Sequence, residues 1–121
     1  PNVSYDELVS LYETSMFYWH FTGLGVNERE HPERVEHLGI TPLEAMAARA
    51  VVCCFAAGGP RELIEQGKNG FLFTSEDELI SIMKSIKPEQ IKEIAQYGSS
   101  YARAHFSYQV FKNSLLKIIN T

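Results

Sequence analysis

Two glutamates, Glu36 and Glu44, flank a short stretch whose residue types suit an oxygen-rich ligand. Between them lie Gly39 and then Thr41-Pro42, which predict a turn followed by the start of a helix. A glycine lets the backbone approach a ligand closely, and a helix start offers unpaired N–H groups to an anion. Acidic side chains bind the vicinal hydroxyls of a ribose in other nucleotide folds. The stretch therefore suits a ligand that carries both hydroxyls and phosphates, such as a sugar nucleotide.

The same residues also have ordinary structural interpretations. Residues 41–44 match a capping box, in which Glu44 would serve only the start of its own helix. Glu36 lies in a charge-rich tract, where a glutamate is by default a solvated side chain. The residues alone leave both interpretations open.

Composition excludes several classes of protein. The chain has 121 residues, enough for one domain with a core, and a net charge of −4 with scattered basic residues, which argues against nucleic acid as a main partner. The longest apolar run, residues 50–57, is too short to span a membrane. Cys53 and Cys54 are adjacent, and we predict that both are reduced core residues of a cytoplasmic protein. Peripheral contact with a membrane is left open. The four histidines lack ligand spacing, so no metal site is expected.

The elements that must position the two glutamates follow from apolar periodicity and turn residues. Three apolar runs predict buried strands at residues 16–21, 50–55 and 71–73. A polar loop is expected at residues 22–36. Helices are predicted at residues 4–14, 41–48, 61–66, 75–86, 88–104 and 107–119. This order predicts an α/β fold, with a parallel sheet that would form the second half of a Rossmann-like doubly wound sheet, followed by C-terminal helices.

Open sheets of this type bind ligands at the carboxyl ends of their strands. Here those ends are His20 with the loop that follows it, and the turn around Gly58 and Gly59. The turn at residues 39–41 can face the same crevice, because its helix packs between the two strands. We therefore place His20, Gly58 and Gly59 at the rim of the predicted site. A histidine at a strand end is more often structural than catalytic, and a Gly-Gly pair alone is an ordinary turn signal.

Taken together, the motifs resemble the nucleotide-binding half of the retaining glycosyltransferases of family 4, which have the two-domain GT-B fold. The resemblance covers about residues 4 to 108, and the order and spacing of the motifs make it specific. The motifs that carry it are Ser4-Tyr5-Asp6-Glu7-Leu8 with Tyr12, Glu36-x-Leu-Gly-Ile, Leu43-Glu44-Ala-Met-Ala, Gly58-Gly59-x-x-Glu62-x-Ile64 and Asn69-Gly70-Phe71.

The resemblance implies a role for each residue of the opening stretch. Glu36 is the first glutamate of the family's Glu-x7-Glu motif and would be the catalytic residue, in contact with hydroxyls of the transferred sugar. Glu44 is the second glutamate and would hold the ribose hydroxyls of the nucleotide. Backbone amides would complete the donor site, those of His37, Leu38 and Gly39 at the sugar and those of Ile40 and Thr41 at the diphosphate.

The resemblance also implies an activity. Residues 1–121 would be one partial domain of an enzyme that moves a sugar from a UDP- or GDP-sugar to a glycan or glycolipid acceptor, with retention and without a metal or other cofactor. The acceptor-binding N-terminal half would be missing, so the isolated chain is expected to be inactive. A non-catalytic nucleotide-binding module, or a structural domain in which Glu44 is only a cap, remain alternatives.

Three departures from the family pattern qualify these expectations. The family's Arg and Lys that clamp the diphosphate have no counterpart here. The acceptor-binding N-terminal domain of the family is absent as well. As a structural consequence of the missing segments, the strand at residues 16–21 would lose a neighbour and become an exposed apolar edge, which predicts marginal stability or pairing with a second copy. Arg49 stands where the family has a glycine that ends the helix, and a left-handed conformation there would cost about 1–2 kcal/mol.

Overall fold

Three short strands form a parallel sheet in the computed structural model, which describes residues 4, 6–7, 16–34 and 40–106. The strands are β1 (Phe17–His20), β2 (Val51–Phe55) and β3 (Gly70–Phe73), and their order in the sheet is β1-β2-β3. Phe17 pairs with Val51, and Val52 with Gly70. The predicted α/β fold with a parallel sheet is confirmed.

In the described ranges, four α-helices connect and follow the strands. They are α1 (Ile40–Ala47), α2 (Pro60–Leu63), α3 (Glu76–Ser85) and α4 (Pro88–Phe106), and a 3-10 helix (Pro32–Arg34) lies within the predicted polar loop. None of the helices in the described ranges, α4 included, is long and apolar enough to cross a membrane.

The predicted helices at residues 4–14 and 107–119 lie outside the described residues, except for the capping box of the first. Ser4 Oγ accepts a hydrogen bond from the Glu7 amide at 3.2 Å, and Glu7 Oε2 accepts one from the Ser4 amide at 3.3 Å. These reciprocal bonds satisfy two donors at a helix start. Ser4 and Glu7 therefore form a capping box, as expected at the start of the predicted helix at residues 4–14.

Helix α2 is shorter than the predicted helix at residues 61–66, because buried Asn69 holds the chain that follows it. Ile64 already has an extended backbone, with φ −91° and ψ 125°. The side chain of Asn69 donates to the Leu63 carbonyl at 3.1 Å and accepts from the Glu65 amide at 2.8 Å. These bonds satisfy backbone groups that a longer helix would have paired internally.

The sheet buries both of its faces, which explains the uninterrupted apolar run of β2. Val52 and Cys54 point to one face and Val51 and Cys53 to the other, and all four are fully buried. Burial raises the pKa of the Cys53 thiol to about 12, so the predicted role of Cys53 as an inert core residue is supported. The first face packs against α1, α2 and the second half of α4, through Ala45, Met46, Leu63 and Ala102. The second face packs against α3 and the first half of α4, through Leu79, Ile82, Ile91 and Ile94.

Helix α4 reaches both core clusters because a glycine lets it pass close to the rest of the chain. A Cβ atom at Gly98 would lie 3.0 Å from the carbonyl oxygen of Asn69 and 3.1 Å from the side chain of Met46. Both distances are shorter than ordinary van der Waals contact. The absence of a side chain at Gly98 therefore sets how closely α4 approaches α1 and the start of β3.

The two edges of the sheet differ. At β3, the side chain of Gln66 takes the place of a neighbouring strand: it accepts from the Leu72 amide at 2.6 Å and donates to the Leu72 carbonyl at 3.3 Å. In the described part of the chain, β1 pairs only with β2, and Trp19 and Met16 are 52% and 62% exposed. The predicted apolar edge at β1 is confirmed, whereas self-association through it stays a prediction.

Candidate functional site

Helix α1 is the element that positions the candidate site. It connects β1 to the parallel strand β2, so it starts at the carboxyl edge of the sheet and ends near the amino end of β2. Pro42, Ala45 and Met46 are buried against the first face of the sheet. Thr41 and Glu44 are exposed. The helix therefore presents its polar residues away from the core, beginning at the edge where such sheets bind ligands.

The first turn of α1 offers two backbone donors. The helix begins at Ile40, one residue earlier than the sequence predicted. The amides of Ile40 and Thr41 precede the first bond of the helical ladder and have no acceptor within the helix, and Pro42 has no N–H to contribute. These two amides are the ones predicted to contact the diphosphate. They occupy the positive end of the helix, and their contact with a diphosphate stays a prediction.

Glu44 lies in the second half of α1 with its carboxylate exposed. Within the described ranges this carboxylate makes no hydrogen bond and no ion pair. The capping-box alternative required Thr41 to be the N-cap, but Thr41 is the second residue of the helix, so that alternative is wrong. Glu44 is therefore available to a ligand, one helical turn beyond the two amides.

The far end of α1 is fixed by a turn and by α4. The Ala50 amide donates to the Ala45 carbonyl at 3.0 Å and the Arg49 amide to the Met46 carbonyl at 3.1 Å, which together form a Schellman motif. Arg49 has φ 68°, so the predicted left-handed conformation is confirmed. The Ala47 carbonyl accepts from Ser99 Oγ at 2.9 Å and from Arg103 at 3.3 Å, both of which belong to α4. These bonds satisfy the helix end and hold α1 against α4.

The predicted rim residues lie at the ends of β1 and β2. His20 is the last residue of β1 and is 9% exposed, with its Nδ1 atom 3.5 Å from the Tyr18 hydroxyl. Gly58 has φ 63°, in the left-handed region that favours glycine, whereas Gly59 has a helical backbone and is the N-cap of α2. Since β1 and β2 are parallel and in register, the structure brings these residues to the same edge of the sheet as the start of α1.

An ion pair that the sequence did not predict joins the loop after β1 to α2. Arg61 donates to Glu28 Oε1 at 2.6 Å, across 33 positions of the chain. Arg61 is the second residue of α2, directly after the Gly58-Gly59-Pro60 turn. The chain has 11 basic and 15 acidic residues, and nothing in their spacing singles out this pair.

The remaining predicted site residues, Glu36, His37, Leu38 and Gly39, lie outside the described residues. Their proposed contacts to the sugar stay predictions. Of the predicted site, the structure therefore describes Ile40, Thr41 and Glu44, which are predicted to face the diphosphate and the ribose, together with the rim.

Comparisons with known proteins match most of this chain. A family described as "Glycosyl transferases group 1" matches residues 2–104. The alpha-1,3/1,6-mannosyltransferase ALG2 of Dictyostelium discoideum is 36% identical over 87 residues, which are 69% of this chain and 21% of that protein. ALG2 of Rhizomucor pusillus is 31% identical over 85 residues, which are 66% of this chain and 18% of that protein. The chain thus spans only about a fifth of the length of these relatives.

Solved structures share the fold. Anabaena Alr3699/HepE in complex with UDP superposes with a TM-score of 0.78 at 24% identity, over 91% of this chain and 29% of that chain. The same protein in complex with UDP and glucose gives 0.67 at 28% identity, over 71% of this chain and 24% of that chain. The C-terminal domain of LpcC, a glycosyl transferase group 1 family protein from Francisella tularensis, gives 0.64 at 21% identity, over 89% of this chain and 52% of that chain.

Proposed function

This chain belongs to the group 1 family of glycosyl transferases, and from that premise we propose that it forms the donor-binding part of an enzyme that transfers a sugar from a nucleotide-sugar. The family match and the two mannosyltransferase relatives support the reaction class. The HepE complexes with UDP and with UDP and glucose support a nucleotide-sugar as the ligand. We further propose family 4 and retention of configuration, with a glycan or lipid-linked acceptor, on the motifs of the sequence.

One observation carries the proposal. The exposed carboxylate of Glu44 follows the amides of Ile40 and Thr41 at the i+4 and i+3 positions, so it projects from the same side of α1 as the helix start. One helical turn, about 5.4 Å, separates the two kinds of group. A nucleoside diphosphate carries anionic oxygens and ribose hydroxyls at a comparable separation. Diphosphate at the helix start and ribose at Glu44 would therefore place one ligand along α1.

The chemistry of the proposed site is electrostatic. Helix N–H groups stabilise the charge that grows on the leaving diphosphate as its bond to the sugar breaks. The amides of Ile40 and Thr41 supply that stabilisation, and Glu44 fixes the nucleotide so that the reacting carbon is correctly placed. In this proposal the leaving diphosphate helps to take the proton of the attacking hydroxyl, so the sugar keeps its configuration. Glu36 would contact the hydroxyls of the transferred sugar.

The test is the binding of UDP, UDP-glucose and GDP-mannose to this chain, measured by saturation-transfer NMR and calorimetry. Glu44→Gln keeps the shape of the side chain but removes its charge. A hydrogen bond to a charged group contributes about 1.5–3 kcal/mol, so we expect binding to weaken at least about tenfold. Because Glu44 is exposed and has no partner in the described ranges, the thermal midpoint should not change.

Glu93→Gln is the matched control, since Glu93 is an equally exposed glutamate on α4. It should leave nucleotide binding unchanged. Nucleotide binding that is identical in the Glu44→Gln and Glu93→Gln variants would remove Glu44 from the site. If none of the three ligands binds the unaltered chain, the proposed donor site is wrong for this chain.

A further inference from the structure

The loop after β1 is held by two contacts that cross the carboxyl edge of the sheet. At its beginning, the ring of Phe21 packs edge-on against the fully buried ring of Phe73 at the end of β3, with centroids 5.3 Å apart. Further along, Glu28 pairs with Arg61 at the start of α2. The loop therefore does not project freely from the end of β1, since it contacts the end of β3 and the start of α2.

The segment around Glu28 is locally ordered. The side chain of Asn27 accepts hydrogen bonds from the amides of Arg29 and Glu30, at 3.0 and 3.3 Å, and its carbonyl accepts from the His31 amide at 2.8 Å. The 3-10 helix at Pro32–Arg34 follows directly. This compact unit has its own internal bonds, and the Glu28–Arg61 pair joins it to α2.

We propose that Glu28 and Arg61 are positioning residues, whose ion pair fixes residues 27–34 against α2 at the carboxyl edge of the sheet before a nucleotide-sugar arrives. The inference rests on the proposed function of that edge. The loop leads from the end of β1 towards the start of α1, and Arg61 directly follows the Gly58-Gly59-Pro60 turn, so the pair bridges the two connections that flank the site. A loop ordered in advance lowers the entropic cost of binding, so the pair strengthens nucleotide binding without contacting the nucleotide.

The test compares UDP affinity of the chain with that of Glu28→Gln, Arg61→Gln and the charge exchange Glu28→Arg/Arg61→Glu. The pair is about half exposed, and such pairs change an equilibrium about two- to fivefold. We expect both single variants to weaken UDP binding by that factor, and the exchange to restore most of it. If Glu28 acted only through the repulsion between its negative charge and UDP, the expected result would be different: removing that charge would strengthen the binding of the anionic UDP.

Salt supplies a second readout. In about 1 M NaCl the Debye length falls to about 3 Å, so the difference between the unaltered chain and Glu28→Gln should largely disappear. Glu65→Gln is the matched control, because it breaks a surface pair with Lys68 that lies within one segment and joins no separate elements. It should leave UDP affinity unchanged.

The outcomes separate the two proposals. If UDP binds and Glu28→Gln binds it equally well or more tightly, the positioning role is wrong and the donor site stands. If UDP does not bind the unaltered chain, the donor site fails and the positioning role fails with it. Weakening in both single variants with recovery in the exchange supports the positioning role, and equal weakening in Glu65→Gln contradicts it.

Discussion

Replacing Arg49 by glycine should make the protein more stable, although glycine usually destabilises. Arg49 closes the Schellman motif at the end of α1 with φ 68°, in the left-handed region. Its side chain is exposed and makes no hydrogen bond or ion pair in the described part of the chain. A glycine would keep both backbone hydrogen bonds of the turn and would remove only the Cβ atom that makes the conformation costly.

The size of the effect follows from two opposing terms. A left-handed conformation costs a residue with a Cβ atom about 1–2 kcal/mol. Glycine loses more backbone freedom on folding, which costs about 0.5–1 kcal/mol. The difference is a gain of about 0–1.5 kcal/mol in the free energy of unfolding, with a central value of about 0.75 kcal/mol. For a chain of this length that central value should raise the thermal midpoint by about 2–6 °C.

Thermal and urea unfolding of Arg49→Gly and Arg49→Ala measure the effect, because both variants lose the arginine side chain and only one keeps the Cβ atom. Arg49→Gly should be the more stable of the two. The control is Gln96, an exposed residue in the middle of α4, where glycine should be about 1 kcal/mol less stable than alanine. If alanine is the more stable residue at position 49 as well, Arg49 is not left-handed in solution and the reasoning fails.

Three further predictions concern the sheet. Gly70→Ala should lower the free energy of unfolding by about 1–3 kcal/mol, because the alanine Cβ atom would lie 2.7 Å from both Cγ2 and the backbone oxygen of Val52. An unchanged thermal midpoint would contradict this close approach. Gln66→Ala should cost about 1–2 kcal/mol, through two lost bonds to Leu72, and should increase light scattering on concentration, because it opens the β3 edge; no change in either would contradict the edge role. Burial raises the Cys53 pKa from 9.0 to about 12, so between pH 9 and pH 12 the thiol ionises in the unfolded chain but not in the folded one. The contribution of Cys53 to stability is therefore complete below pH 9 and is lost as the pH rises towards 12. Measured by urea unfolding, the stability of the unaltered chain relative to Cys53→Ala should fall by about 1.4 kcal/mol from pH 8 to pH 10, and parallel pH profiles would contradict the raised pKa.

The sequence predicted the strands and the long helices because their signals are local. The apolar run of β2 has no polar interruption, as a strand buried on both faces requires, and β1 and β3 are also predominantly apolar. Ser75 caps α3, where its Oγ accepts from the Glu78 amide at 3.1 Å. Pro88 begins α4 as predicted. Element boundaries were right to within a few residues wherever a cap or a proline marked them.

Features that depend on distant residues were not predictable in the same way. The end of α2 is set by Asn69, whose side chain replaces helical bonds from six positions away. The Glu28–Arg61 pair spans 33 positions, and charged residues carry no period that would indicate their partners. The sequence also placed the start of α1 at Thr41, because proline is commonest at the first helical position. Pro42 is instead the third residue of the helix. Proline is tolerated there as well, since a backbone N–H at that position would have no partner within the helix.

The strain at Arg49 lies at the end of α1 that is opposite to the candidate site. Ser99 and Arg103 hold the Ala47 carbonyl at that end, and buried Ala45 and Met46 hold the helix against the sheet. The position of the first turn is therefore fixed by contacts that do not involve the amides of Ile40 and Thr41. Those amides remain available to a ligand because the rest of the helix is already anchored. A preorganised donor set of this kind is what electrostatic stabilisation of a leaving group requires, because the donors need not reorganise as charge develops.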